Sequence, residues 1–202
     1  MRASRSSAAA AASLLLASNA VAIDVDASIS QSIIDAAGTI AASIIAKYPG
    51  NEDNGGIPGL FPDSYYWWES GFAWDTLLSY SSLTGDNQYD YTISQALLFQ
   101  IGPDNNYMPP NQSRSLGNDD QTFWAHAALT AEETAFQLPD DAGVDSWIQL
   151  AQNAFDGQTL RWENDTCGGG LRWQIFSFNN GYDYKNVGVL QARRRSLMPS
   201  RP

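Results

Sequence analysis

Two adjacent carboxyl groups, Asp119 and Asp120, are the strongest sign of chemistry in this 202-residue chain. They belong to the sequence Asn-Asp-Asp-Gln at 118–121, which follows a long polar loop and opens an apolar helical pattern. Glycoside hydrolysis generally needs one carboxyl group that protonates the leaving oxygen and another that attacks the sugar or activates water. A neighbouring pair in an aromatic-rich cleft could supply both.

The same four residues also suit a helix N-terminus that has no catalytic role. Asn118 would be a good N-cap, acids in the first turn interact favourably with the helix dipole, and Gln121 resembles the polar residue of a capping box. The motif alone favours capping. The position of this helix start within the whole chain must therefore decide between the two interpretations.

Apolar periodicity predicts five helices, and hence an all-α fold. They cover about 26–48, 67–84 and 86–100, with two more starting at 119 and at about 144. The predicted buried faces, in helix order, are Ile33, Ala37, Ile40, Ile44 and Tyr48; Phe72, Trp74, Leu77 and Leu78; Tyr89, Ile93, Ala96 and Leu97; Trp124, Ala127, Ala131 and Ala135; Trp147, Ile148, Ala151 and Phe155.

Short and long connections alternate along these helices. Tight turns join helices two and three and helices four and five, which predicts two αα-hairpins. Long loops rich in Gly, Pro, Asn and Asp cover 49–66, 102–117 and 163–182, the last with a short β-like stretch at 171–175. If each helix reverses the previous one, all long loops lie at one end of the array. The segments 67–69, 118–120 and 182–186 then converge there, and loops at one face of a scaffold commonly form sites.

Five motifs occur in an order that resembles a known family. They are Tyr-Tyr-Trp-Trp-Glu-Ser-Gly at 65–71, Thr-Gly-Asp at 84–86, Asn-Asp-Asp-Gln at 118–121, Cys-Gly-Gly-Gly-Leu-Arg-Trp-Gln at 167–174 and Tyr-Lys-Asn at 184–186. Together they resemble fungal glycoside hydrolase family 76, which contains endo-α-1,6-mannanases and GPI-anchored cell-wall proteins. The similarity runs from about residue 26 to residue 186.

The resemblance implies an (α/α)6 toroid that acts with retention on α-1,6-linked mannose. By position, Asp119 would be the nucleophile and Asp120 the general acid/base. The implied substrates are α-mannan or the mannosides of a GPI glycan, in cell-wall biogenesis or carbohydrate catabolism, and hydrolysis and transglycosylation both stay open. A monomer that needs no cofactor or metal is expected. Its place would be the secretory pathway, then the cell wall, the outer face of the plasma membrane (held through a GPI anchor in a complete protein) or the exterior.

Aromatic rings offer flat apolar surfaces to the C–H groups of a pyranose, although core packing is the commoner fate of tryptophan. Trp68 or Trp173 is expected to form a sugar subsite, whereas Trp74, Trp124 and Trp147 are expected in the core and His126 in a structural role. The predicted substrate-binding residues are Trp67, Trp68, Glu69, Gln121, Arg172, Trp173 and Tyr184.

The two catalytic roles require the carboxyl groups to titrate apart. At about 5 Å and an effective dielectric constant near 20, their repulsion is on the order of 3 kcal/mol, or about two pKa units. Helix-terminal N–H groups favour an ionised carboxylate, which suits a nucleophile. Repulsion is therefore expected to keep one carboxyl group ionised and the other protonated.

The two ends of the chain differ from its middle. Residues 1–22 combine two arginines, an Ala/Leu run and an A-x-A pattern, which predicts a secretory signal peptide. Residues 187–202 have four arginines and no acid, and we interpret them as an aberrant basic tail. Residues 24–185 hold all 22 acidic residues and only five basic ones, which disfavours nucleic acid as a partner. Asn111 and Asn164 head glycosylation sequons.

The family comparison predicts that residues 23–186 are the N-terminal part of a glycoside hydrolase domain. Five helices are about half of the expected ring, so the chain as written is expected to be poorly stable and inactive. Cys167, the single cysteine, could have lost its partner, pair between molecules or be a free thiol. Two alternatives stay open, a non-catalytic carbohydrate-binding helical module and a helical interaction module of the secretory pathway.

Overall fold

In the computed structural model, residues 23–50 and 56–185 are described, and they form five α-helices. The helices are α1 (Ser30–Ile45), α2 (Trp67–Thr84), α3 (Asp90–Phe99), α4 (Asn118–Glu133) and α5 (Trp147–Leu160), with a 3-10 turn at Pro110–Gln112. Within these two ranges there is no β-strand, and the all-α prediction is confirmed. The predicted signal peptide (1–22), Asn186 and the basic tail (187–202) lie outside the described residues.

Helices α2 and α4 form the centre of the array. α3 and α1 pack against α2, and α5 packs against α4. The indoles of Trp67 and Trp124 stack with ring centroids 5.1 Å apart. Gly71 permits this close approach, because a Cβ there would lie 2.8 Å from the Trp124 ring. As predicted, the core contains Trp74, Leu77, Leu78, Ile93, Ala96, Leu97, Trp124, Ala127, Ala131, Trp147 and Ala151.

Both predicted hairpins are present. α2 ends at Gly85, whose left-handed backbone (φ 76°) lets its N–H donate to the Ser81 carbonyl at 2.8 Å, and α3 packs back on α2. Ser146 caps α5 by accepting from the Gln149 N–H. The Trp147 indole donates to the Phe136 carbonyl at 3.0 Å, which ties the second turn together. The long loops therefore lie at the other end, where the site is.

Several predicted helix ends and faces were wrong. α1 is shorter than expected at both ends, and α3 begins at Asp90 because the Asp86 carboxylate accepts from Tyr80 and Gln88 in a turn before it. Ile33 and Ile40 are each 47% exposed, and α1 buries Ala36 and Ala41 instead. Three other residues that were predicted to be buried are also exposed, namely Phe72, Ala135 and Ile148. No helix within the described ranges has the length and hydrophobicity that a membrane crossing requires.

Candidate active site

The head of α4 lies where three chain segments meet. The Asn118 N–H donates to the Trp173 carbonyl at 2.8 Å, and the Ile175 N–H donates to the Leu116 carbonyl at 3.2 Å. From the core side, the Trp124 indole donates to the carbonyl of Trp67 at 3.1 Å. The predicted convergence of the starts of α2 and α4 is thus present, and the segment 171–175 of the third long loop joins them. Of the predicted third segment, 182–186, Tyr184 is tied to this meeting point because its carbonyl accepts the Trp173 N–H at 2.6 Å. The β-like stretch forms only an isolated bridge, Gly117 with Gln174.

Asp120 caps its own helix from the third position. Its Oδ2 accepts the N–H of Gly117 at 2.6 Å, and Gly117, not Asn118, is the residue before the helix. Glu69 does the same at the head of α2, where its Oε2 accepts the Tyr66 N–H at 2.6 Å. Both heads thus share one half of a capping box. Capping at this helix start is therefore real, but Gly117 takes the N-cap position predicted for Asn118, and Asp120 takes the capping-box position predicted for Gln121.

Gly117 leaves the space in which both carboxyl groups fit. A Cβ at this position would meet Asp119 Oδ1, Asp120 Oδ2 at 3.0 Å and the Trp173 carbonyl at 3.1 Å. Because both carboxyl oxygens lie within 3.0 Å of one point, they are closer together than the separation of about 6.5–9.5 Å that inverting glycosidases use. The two carboxyl groups thus lie side by side in the space that Gly117 leaves open.

Asp120 and two indoles line an open cavity of about 420 Å³. Trp68 and Trp173 are half-buried, so part of each ring faces solvent, while the Trp68 ring also contacts Phe123 at 4.8 Å between centroids. The full lining is Tyr66, Trp68, Arg114, Ser115, Asp120, Trp173, Gln174, Asn179 and Asn180. Amides, hydroxyls and aromatic faces around one carboxyl group are the groups that bind a neutral sugar.

Burial is the largest influence on the pKa of both carboxyl groups. Loss of solvent raises the pKa of Asp120 to about 6, the Gly117 N–H opposes this, and the charge of Asp119 adds a smaller increase. Burial also raises the pKa of Asp119, but hydrogen bonds from the Asp120 N–H and the Trp173 side chain lower it in turn. Burial thus raises the pKa of both carboxyl groups, and the sequence-based expectation that one is ionised and the other protonated stays a prediction. The main cause of these shifts is loss of solvent, and the mutual repulsion that the sequence suggested is a smaller influence on Asp120.

Comparison with known proteins identifies the chain. Residues 32–189 match the description "Glycosyl hydrolase family 76". The chain belongs to glycosyl hydrolase family 76. A mannan endo-1,6-alpha-mannosidase of Saccharomyces cerevisiae, DCW1, is 46% identical over 84% of this chain and 37% of its own length. DCW1 of Candida albicans is also 46% identical, over 73% of this chain and 32% of its own length.

A solved structure gives the same result for the fold. Dfg5 of Chaetomium thermophilum, crystallised with glucosamine, superposes with a TM-score of 0.77 at 40% identity, over 85% of this chain and 43% of that one. The five helices are thus part of the α/α toroid of family 76. The chain spans less than half the length of these relatives.

Some residues predicted to bind substrate in this family 76 chain have other partners. Trp67 is buried, and its indole donates to Gln100 Oε1 at 3.0 Å. Gln121 is fully buried, donates to the Asn106 carbonyl at 2.7 Å and accepts from Arg161. Neither lines the cavity of Asp120, and for both the substrate-binding assignment is corrected to a structural one.

Arg172 and Tyr184 support the loop that carries Trp173. The Arg172 guanidinium pairs with Asp183 at 2.6 Å and Glu163 at 3.2 Å and lies over the Tyr182 ring. The Tyr184 carbonyl accepts the Trp173 N–H at 2.6 Å, and its ring meets the Trp173 indole edge-on. Both therefore act through the position of Trp173, and Glu69 acts as a cap; none of the three lines the cavity of Asp120.

Sequence reasoning did not select most of the polar lining of the cavity. Arg114 and Ser115 belong to the long loop before α4, and Asn179 and Asn180 belong to the loop after Trp173. Polar residues of these kinds are common in loops, so the sequence offered no reason to assign them to a site. The sequons at Asn111 and Asn164 are exposed, which fits glycosylation, and Cys167 is an exposed free thiol.

Trp68→Ala is expected to weaken the binding of mannooligosaccharides by about 10-fold or more, since it removes an aromatic wall of the cavity. Titration calorimetry on the Asp119→Asn background, in which turnover is expected to be lost, would measure the change. Phe178→Ala is the matched control, because this exposed ring stacks only on Phe176 and lies outside the cavity lining. Equal affinities for the Trp68 and Phe178 variants would contradict the assignment of the cavity as a sugar site.

Proposed function

We propose that the chain carries the catalytic pair of a retaining mannan endo-1,6-α-mannosidase or transglycosidase. The supporting observation is that Asp119 and Asp120 lie close together beside Gly117, with Asp120 in a cavity between two indoles. The family 76 relatives are named mannan endo-1,6-alpha-mannosidases, which supports an α-1,6-mannosidic bond as the one that is cleaved.

In the proposed mechanism, Asp119 attacks the anomeric carbon as an ionised carboxylate. Asp120 begins protonated and transfers its proton to the glycosidic oxygen as the C–O bond breaks. The glycosyl ester on Asp119 is then cleaved by water, or by a sugar hydroxyl in transfer, while the ionised Asp120 takes the proton of that nucleophile. Burial raises the pKa of Asp120 to about 6, and hydrogen bonds from the Asp120 N–H and the Trp173 side chain lower the pKa of Asp119, which suits these roles.

The substrates that we propose are α-mannan and the mannosides of a GPI glycan. The complex of a similar protein with glucosamine supports a site that accepts glycans containing amino sugars. A secreted monomer at the cell wall or the outer plasma membrane, anchored through GPI in a complete protein, is consistent with the acidic composition and the exposed sequons.

Activity is expected to fall as the pH rises through about 6, because Asp120 then loses the proton that it must donate. The free energy of unfolding is expected to fall with rising pH as well. A carboxyl group whose pKa is raised on folding contributes stability at low pH, and this contribution is lost as the pH rises through the folded pKa. The measurement is kcat/KM against pH on an α-1,6-linked mannooligosaccharide, with products followed by chromatography. A rate that stays constant from pH 5 to 8 would contradict the assignment of Asp120 as the acid.

The deciding experiment for the function is the stereochemistry of the first product. Proton NMR of a reaction on α-1,6-mannooligosaccharide should show the α-anomer before mutarotation. A β-anomer would exclude Asp119 as nucleophile. Glycan binding with no turnover, in this chain and in a chain of the relatives' full length, would instead favour a carbohydrate-binding module.

A further inference from the structure

Gln158 in the last turn of α5 and Arg161, the residue directly after α5, hold the side of the α4 head that faces away from the cavity. Gln158 Nε2 donates to the Asn118 carbonyl at 2.9 Å and to Thr122 Oγ1 at 2.8 Å. Arg161 Nε donates to Asn118 Oδ1 at 2.8 Å, and its Nη2 donates to Gln121 Oε1. The first turn of α4 is thereby bonded to the C-terminal end of α5, where every donor is a side chain.

The bonded residues of α4 lie on one face of the helix, and the two aspartates lie off that face. Asn118, Gln121 and Thr122 stand at i, i+3 and i+4, so they share one face of the helix. Asp119 and Asp120 follow Asn118 by about 100° and 200° of rotation, which turns them away from that face. Any rotation of the first turn about the helix axis would therefore move both carboxyl groups relative to Trp68 and Trp173.

Arg161 is an uncommon choice for a purely structural contact. Within the described parts of the chain no carboxylate lies within ion-pair distance of it, and its partners are the two amide oxygens and the sulfur of Met108. Burial lowers the pKa of Arg161 to about 10, which reflects a charge removed from water. A buried cation that lacks an acid costs stability. What it supplies is a rigid planar fork that fixes two acceptors at once.

We propose that Arg161 and Gln158 are positioning residues, which set the rotation of the first turn of α4 and so direct Asp119 and Asp120 at the cavity. This inference rests on the proposed function in one respect, the catalytic role of the two aspartates. The positions themselves are independent of that role. Neither side chain lines the cavity, so neither is expected to touch substrate.

The test is the titration of the aspartate carboxyl carbons by NMR in four chains: the natural one, Arg161→Lys, Gln158→Met and Gln152→Met. Lysine keeps the charge and the aliphatic stem but loses the planar fork. Gln152 is the matched control, because it is an exposed glutamine on the same helix that bonds only Asp156. Asp119 and Arg114, the charged neighbours of Asp120 around the cavity, stay unchanged in all four chains.

In the natural chain and in Gln152→Met, Asp120 is expected to titrate near about 6. In Arg161→Lys and Gln158→Met its midpoint should fall towards about 4, the value of a solvated carboxyl group, because the turn rotates outwards. An unchanged or raised midpoint in folded variants would overturn the proposal, and so would the unfolding of both. If these titrations are seen but neither this chain nor a chain of the relatives' full length cleaves glycan, the proposed function is contradicted and the positioning role stays intact.

Discussion

In a chain of the relatives' full length, Asp119→Asn is expected to lower kcat on an α-1,6-mannooligosaccharide by about 10³-fold or more, because the amide cannot form the glycosyl ester. Asp120→Asn is expected to lower kcat by about 10²–10⁴-fold on natural substrates, where the leaving oxygen needs a proton. With an activated aryl mannoside, whose leaving group departs without protonation, the Asp120 variant should recover most of its glycosylation rate. Initial rates on both substrate types, with burst analysis, measure these effects.

The matched control is Glu69→Gln, since Glu69 caps α2 from the same helical position from which Asp120 caps α4. If capping were the whole role of Asp120, both variants would lose only about 0.5–2 kcal/mol of stability. We expect Glu69→Gln to show that loss in thermal unfolding and to keep its turnover. Near-natural rates for both aspartate variants would exclude the catalytic assignment, and a defect confined to Asp120→Asn would reverse the two roles.

The fold and the region of the site could be predicted because they depend on short-range pattern and on topology. The helical spacing of Trp124, Ala127 and Ala131 identified a face that is fully buried. The alternation of short and long connections was enough to predict that the N-termini of α2 and α4 lie close together, before any contact between them was known. Both inferences need only the helix period and the reversal of direction between neighbours.

The errors came from partners that are distant in sequence. Asn118 was a reasonable N-cap, but its side chain is engaged by Arg161, 43 residues away, and by the Arg172 carbonyl, 54 residues away. Ile33 and Ile40 share a helical period with the buried residues of α1, yet no described element covers them. Periodicity shows which residues share a face, and the position of the neighbours decides which face is buried.

The pKa difference between the two aspartates shows the same limit. A sequence shows that two acids are adjacent, so repulsion is the only interaction that it allows one to estimate. It does not show that the loop carrying Trp173 folds over the head of α4 and removes solvent from both carboxyl groups. In the structure that burial is the largest influence on each of them, and the repulsion is secondary.

Gly117→Ala is expected to impair catalysis about as strongly as loss of the acid, by about 10²-fold or more, although glycine has no functional group. The backbone of Gly117, with φ −96° and ψ 163°, is open to alanine, so the substitution introduces no backbone strain. The added methyl group would instead meet oxygens of both carboxyl groups and the Trp173 carbonyl. The carboxyl groups must move, and the cap from Gly117 to Asp120 must lengthen.

This prediction separates geometry from chemistry at the site. Turnover should fall while the affinity for mannooligosaccharides changes little, since Trp68 and Trp173 stay. The free energy of unfolding should decrease by only about 1 kcal/mol, because the N-cap residue is altered. Gly38→Ala in α1 is the control: its methyl group would meet only the end of the Tyr80 side chain, at 3.3 Å. Natural turnover in the Gly117 variant would mean that the two carboxyl groups need not share this space, and the proposed retaining geometry would then be wrong.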